Sequence, residues 1–187
     1  MTLIASSVAV SGCWFQKSGE TDGPLHVFPE HGYVVKAREG RIFTDGFDVV
    51  RVDGDAAITI KSVNSVGGED TLGYLGARIA GPHREVGATQ VMRGFPPSAP
   101  SLGRVVPAVG ATLKPRSQSG VIGYELLLGY KITDNTLGGR ATIKVVYESD
   151  GRTYESVIHA RLVTCPGGLS SRVCMTRFEA LPRGGMS

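Results

Sequence analysis

The residues best equipped for chemistry are few: three cysteines, Cys13, Cys165 and Cys174, and four histidines, His26, His31, His83 and His159. An odd cysteine count divides most simply into one bonded pair and one residue with a separate task. Cys165 and Cys174 have eight residues between them, Pro166, Gly167 and Gly168 included, and a turn there can bring the sulfurs together. A bridge closing a loop of about ten residues stabilises by roughly 2–3 kcal/mol and belongs to an oxidising compartment. Two free thiols, or a metal pair lacking visible partners, are the alternatives.

His26, Glu30 and His31 fall in HVFPEH, close to a metalloprotease signature. The inverted zinc motif is H-x-x-E-H on a helix, whereas here three residues precede the Glu and Pro29 would break the helix. The motif fails. Both histidines are read as exposed, with a two-histidine loop site as the lesser alternative. His83 and Met92 are donors that copper accepts, but their spacing matches no carrier motif. His159 is expected on a polar strand face. Nucleophilic catalysis lacks a G-x-S-x-G elbow, and phosphate binding lacks G-x-x-x-x-G-K-[ST]. Glu69-Asp70 stands in a Gly-rich turn, the usual structural place for paired acids. No catalytic residue, metal ligand or cofactor is assigned.

Cys13 has a different setting. Leu3 to Val10 reads LIASSVAV, an apolar run of small residues that ends in Val10-Ser11-Gly12-Cys13. This resembles the lipobox of bacterial lipoproteins: an aliphatic residue, two small ones, then the cysteine that receives lipid. The resemblance implies cleavage before Cys13, which would become the acylated first residue of the mature chain, with 1–12 a truncated export signal. The sequence departs from the pattern in two ways: no Lys or Arg precedes the apolar run, and Trp14 and Phe15 follow the cysteine. In the other reading Val8 and Val10 begin an ordinary strand and Cys13 is a small buried hydrophobe. Several acyl chains would anchor firmly, at about 0.8 kcal/mol per buried CH₂.

Composition sets the architecture. Hydrophobic residues make up 41% of 187, with 26 glycines and 10 prolines. That supply of turn residues points to short strands and frequent loops in one domain. No apolar run of about 20 residues provides a membrane span. Residues 16–32, polar and rich in Gly and Pro, read as a spacer or as an irregular first strand. The divisions expected are therefore 1–12, 13–32 and 33–187.

The net charge of +3 is unevenly placed: 81–120 holds Arg84, Arg93, Arg104, Lys114 and Arg116 against Glu85, leaving 15 basic and 16 acidic residues elsewhere. Within that stretch GFPPSAPSLGRVVPAVG is the least regular part of the chain, and Val105-Val106 reads as an edge strand cut by Pro107. Arg93, Phe95, Arg104, Lys114 and Arg116 are the candidate interaction residues, facing anionic lipid heads or an acidic wall polymer. Five cations over forty residues make no dense patch, so a solvated connection is the competing reading. Aromatics are scattered rather than interleaved with the cations, which argues against nucleic acid.

The remaining elements come from alternation. Asp150-Gly151 sets a hairpin in which Tyr147 faces Tyr154, Val145 faces Ser156, Ile143 faces Ile158 and Ala141 faces Ala160. Asp53-Gly54 predicts a second, with Phe47 opposite Ile60, and Glu39-Gly40 a third between 33–38 and 41–44. Leu75, Ala77 and Ile79 alternate, as do Tyr124 to Ile132. Val157–Cys165 extends the first hairpin, and Arg172–Phe178 is expected to return antiparallel to it. Eight or nine short strands favour an all-β, immunoglobulin-like two-sheet antiparallel sandwich, with a barrel as second choice.

The late segments YELLLGYKI and YESDGRTYE, with a last strand ending in Cys, are similar to those of small actinobacterial lipoproteins with an immunoglobulin-like β domain. The resemblance covers about the last seventy residues and implies no activity. The expectation is an extracytoplasmic, membrane-anchored envelope protein, without enzymatic activity, that binds another envelope protein or an anionic envelope polymer. A His/Met carrier of copper or zinc and an extracellular hydrolase are the alternatives.

Overall fold

The computed structural model describes residues 23–84, 90–120 and 122–180. Cys13 and the export-signal reading lie outside the described residues. The strands are β1 (Leu25–Val27), β2 (His31–Lys36), β3 (Ile42–Val52), β4 (Ile58–Val66), β5 (Leu72–Ala80), β6 (Gln90–Arg93), β7 (Val105–Pro107), β8 (Thr112–Leu113), β9 (Tyr124–Ile132), β10 (Gly138–Arg140), β11 (Thr142–Ser149), β12 (Arg152–Ile158) and β13 (Ala160–Cys165). Among the described residues two α-helices accompany them, α1 (Arg116–Ser119) and α2 (Ser171–Ala180), with a 3-10 turn at Pro100–Leu102.

The chain is an all-β sandwich. One sheet runs β1-β3-β9-β5-β7, with β6 also paired to β3; the second runs β12-β11-β4-β8. A short third sheet, β10-β13-β2, contains a parallel pair, β13 with β2. Among the described residues no sheet closes into a barrel. The stretch read as a spacer or first strand is strand from Leu25 onward, and Leu25 is buried, so the folded part begins ahead of residue 33.

Alternation explains the core. Leu126, Leu128, Tyr130 and Ile132 of β9 meet Ile58, Ile60, Val63, Ile143 and Val145 from the facing sheet. The Tyr130 hydroxyl donates to Ser65 Oγ of β4 at 3.1 Å, crossing the interior. On the opposite face of β9, Leu127 packs with Ala80 and Leu102, and Gly129 underlies the Phe95 ring. A Cβ at Gly129 would overlap that ring, so the position needs glycine for close approach. The Pro-rich segment after β6 therefore covers the outer face of the larger sheet, and β9 is buried on both sides.

The β11–β12 hairpin has the register its turn residues predict: Tyr147 opposes Tyr154, Val145 opposes Ser156 and Ile143 opposes Ile158. Asp150 and Gly151 hold φ of 48° and 73°, the left-handed region that this turn requires. Pairing stops before Ala141 and Ala160. At His159 the chain leaves β12, and β13 joins the third sheet instead of prolonging the hairpin.

The two other expected hairpins are turns between sheets. β3 pairs with β1, β6 and β9, whereas β4 pairs with β11 and β8, so Phe47 does not oppose Ile60. Strands from opposite sheets turn their apolar faces to one core, so sorted alternation fits sheet-crossing as well as it fits pairing. The Glu39-Gly40 turn likewise carries the chain from β2 to β3 in different sheets. Leu75 is 42% exposed, because a bulge between Tyr74 and Gly76 interrupts the alternation.

Arg172–Phe178 is helical rather than extended. The segment contains neither Gly nor Pro, and Ser170 caps its start by accepting from the Val173 amide through Oγ at 3.3 Å. Cys174 and Phe178, one helical turn apart, pack with Met175 against Val163 and Val34. Cys165 and Cys174 are joined with Cα atoms 5.6 Å apart, so the bridge staples α2 to β13 instead of closing a hairpin.

Candidate functional site

β3 is regular at both ends and irregular at its centre, where its register against β9 shifts between Asp45 and Asp48. Residues three apart in a regular strand point to opposite faces; the bulge cancels that inversion. Asp45 and Asp48 consequently meet the same guanidinium. Arg140, the last residue of β10, places Nη2 on Asp45 Oδ2 in a direct ion pair and 3.6 Å from Asp48 Oδ2. All three side chains are fully buried.

Other elements complete the shell. Arg140 lies over the Tyr130 ring at 5.6 Å, a cation–π contact from β9. Tyr33 of β2 packs at a tilt against Phe47, with ring centroids 4.3 Å apart. His31, also on β2, sets Nε2 3.5 Å from Asp48 Oδ1, and with 30% of its side chain exposed it borders solvent. Both Asp48 oxygens, the Tyr33 hydroxyl, and Arg140 Nε and Nη1 have no hydrogen-bond partner among the described residues.

These positions have electrostatic consequences. Burial, reinforced by the neighbouring Asp45, pushes Asp48 up to about 6, against the pull of Arg140 and His31. Burial favours a neutral Arg140, but Tyr130, Asp45 and Asp48 outweigh it and hold the guanidinium charged. Burial raises Tyr33 and Tyr130 well above the usual phenol range, so both remain neutral. Two carboxylates thus share one cation in a dry interior, an arrangement suited to binding a proton.

A second buried pair lies on the outer face of the large sheet. Arg84 Nε is 2.9 Å from Glu125 Oε2, both nearly inaccessible, and Arg84 Nη1 donates to the Gly123 carbonyl at 2.7 Å. Burial pushes Glu125 up to about 7 despite Arg84. A cleft of about 370 Å³ lined by Glu39, Gly40, Lys131, Ile132 and Thr133 shares no residue with either pair.

The candidate interaction residues are distributed rather than gathered. Arg93 ends β6, opposite Phe43, and Arg104 precedes β7 at the other edge of the same sheet. Lys114 follows β8 in the facing sheet, its amide donating to the Tyr124 hydroxyl at 2.9 Å, and Arg116 opens α1. All four are exposed. Phe95 is half-buried on Gly129, with the Arg78 guanidinium 5.9 Å from its ring, so it packs rather than projects.

The histidines separate. His26 of β1 faces Asp53 at 3.5 Å at the surface, whereas His31 faces buried Asp48, which corrects its reading as an exposed residue. His83 and His159 are exposed, and Met92 packs beside Leu127. Glu69 acts in its turn, its carboxylate accepting from the Gly67 amide at 3.2 Å. Asp45, Asp48, Arg140, Arg84 and Glu125 escaped the motif search because no local spacing links them. For Asp45, Asp48 and Glu125 the signal is charge within largely apolar strands, IFTDGFDVV and YELLLGYKI; Arg84 and Arg140 lie outside both segments.

No family model matches the chain, and no curated protein matches it. Among solved structures, the secreted serine protease VesC from Vibrio cholerae aligns at 11% identity with a TM-score of 0.31. The alignment covers 75% of this chain and 23% of that protein, and a likeness of that size transfers neither fold nor activity.

Proposed function

We propose that this chain is an extracytoplasmic, lipid-anchored envelope protein whose β-sandwich serves a non-enzymatic role, binding a partner or bracing an assembly. The carrying observation is the bond between buried Cys165 and Cys174. A structural disulfide fits an oxidising compartment, and its formation leaves Cys13 as the odd sulfur at the end of an apolar run, in a lipobox-like setting. The exposed cations Arg93, Arg104, Lys114 and Arg116 support an anionic envelope polymer or an acidic envelope protein as partner, since their separation over both sheets suits an extended ligand better than a small one.

The intact mass of native protein from a membrane fraction tests this reading. The expected mass corresponds to a chain beginning at Cys13, with acyl chains added and two hydrogens lost to the bridge. A soluble, unacylated chain whose three cysteines all react with thiol reagents would overturn it.

A further inference from the structure

We propose that His31, Asp48, Asp45 and Arg140 form a proton-operated clasp: one proton held between His31 and Asp48 seats β2 on the large sheet, and its loss frees β2.

Asp45 and Asp48 on β3 contribute two negative charges, and Arg140 on β10 contributes one positive charge. Tyr33 on β2, Tyr130 on β9 and Tyr74 on β5 remain neutral, because burial raises each phenol. The interior therefore carries a net charge of −1 unless a proton enters. Desolvating an uncompensated charge is costly enough to demand one. His31 Nε2 at 3.5 Å from Asp48 Oδ1 is the acceptor that can share it. Held on the Asp48 carboxyl and shared with the His31 nitrogen, it makes the cluster neutral. The rise of Asp48 to about 6 places the event in the physiological range.

The topology identifies the part that moves. β3 is held between β9 on one edge and β1 and β6 on the other, whereas among the described residues β2 pairs with β13 alone. When the proton leaves, water can reach Asp48 most readily by displacement of β2, the strand that carries partly exposed His31. The other charges near β2 face away from Asp48. Arg161 of β13 pairs with Glu30 at 2.6 Å and with Glu179 of α2 at 3.3 Å, and Lys36 donates to the Leu169 carbonyl. Arg172 and Arg177 lie on exposed positions of α2.

The test is hydrogen exchange followed by NMR on the full chain between pH 5.5 and 8, corrected for intrinsic exchange rates. Amides of β2 bonded to β13 should lose at least about tenfold in protection over this range while those of β9 hold theirs. Asp48→Asn should leave β2 protected and independent of pH. His31→Asn should move the transition to lower pH, because the proton then has Asp48 alone to hold it. The side-chain carboxyl carbon of Asp48 in the wild-type chain gives a readout independent of any variant: its midpoint should lie near 6. A midpoint near the ordinary value of about 4 would overturn the clasp. So would wild-type β2 protection without pH dependence, or a gain of protection with zinc ion alone that His31→Asn abolishes.

Discussion

Arg140→Met keeps much of the volume of the side chain while removing the cation that faces Asp45 and Asp48. Two buried carboxylates would then stand against each other with His31, Tyr33 and Tyr130 as neighbouring polar groups. Breaking a buried ion pair by deleting one partner costs about 3–5 kcal/mol, and urea unfolding at pH 7.5 should show a loss of that size. Adding Asp45→Asn and Asp48→Asn to the same variant should recover a large part of it, since a buried amide is far cheaper to desolvate than a carboxylate. A triple variant no more stable than Arg140→Met would mean that the loss came from packing. The anomaly that marks this site was visible in the sequence: Asp45 and Asp48 interrupt a largely apolar strand, with Gly46 and Phe47 between them. Their shared partner was not visible, because Arg140 lies 95 residues from Asp45 and only folding brings them together.

At the scale of elements, turn chemistry was legible and strand pairing was not. Asp150-Gly151 fixed the register of β11 and β12 because a two-residue loop leaves one way to pair. Asp53-Gly54 supplied an equally good turn signal, but the chain crosses to the other sheet there, and the apolar residues of β3 and β4 meet across the core instead of along a ladder. Helix α2 was missed because its apolar contacts are few, Cys174, Met175 and Phe178, too short a stripe to outweigh the strand expected beside Cys165. Its attachment makes a prediction: replacing Cys165 and Cys174 together by serine should cost about 2–3 kcal/mol. Proteolysis should then release α2 before it opens the β11–β12 hairpin; simultaneous cleavage of both would deny the bridge its local role. The covering segment after β6 depends similarly on one ring. Phe95→Ala should lose about 2 kcal/mol, less than a fully enclosed Phe because the ring is half-exposed. Gly129→Val should destabilise comparably by displacing the same ring, and the double variant should cost less than the sum of the two in denaturant unfolding.

Taken whole, the molecule stacks a central sheet between two covers, and each boundary encloses a charged pair that a purely apolar interior would not need. Arg140 with Asp45 and Asp48 lies where the third sheet meets the large one; Arg84 with Glu125 lies beside the segment over its outer face. Both sites contain an acid pushed upward by burial, Asp48 to about 6 and Glu125 to about 7. An acid raised in the folded state binds its proton more tightly there than when unfolded. The resulting stability is fully present below the unfolded pKa near 4, and it is lost as pH rises through the folded value. Stability should therefore fall as pH rises from about 4, the contribution of Asp48 levelling off near 6 and that of Glu125 near 7, opposite to the rise expected for a protein governed by surface ion pairs. Asp53, lowered by its hydrogen bond to Arg51, acts below this window and does not mask the trend. For Asp48 the rise to about 6 corresponds to about 3 kcal/mol. Thermal melts across the range should show Tm declining with pH in the wild-type chain. The part of the decline that ends near 6 should vanish in Asp48→Asn, the part that ends near 7 in Glu125→Gln, and the profile should be almost flat in the double variant. A Tm that climbs from pH 5 to pH 8 would show instead that both acids are ionised at little cost, and that the covers over the central sheet admit water freely.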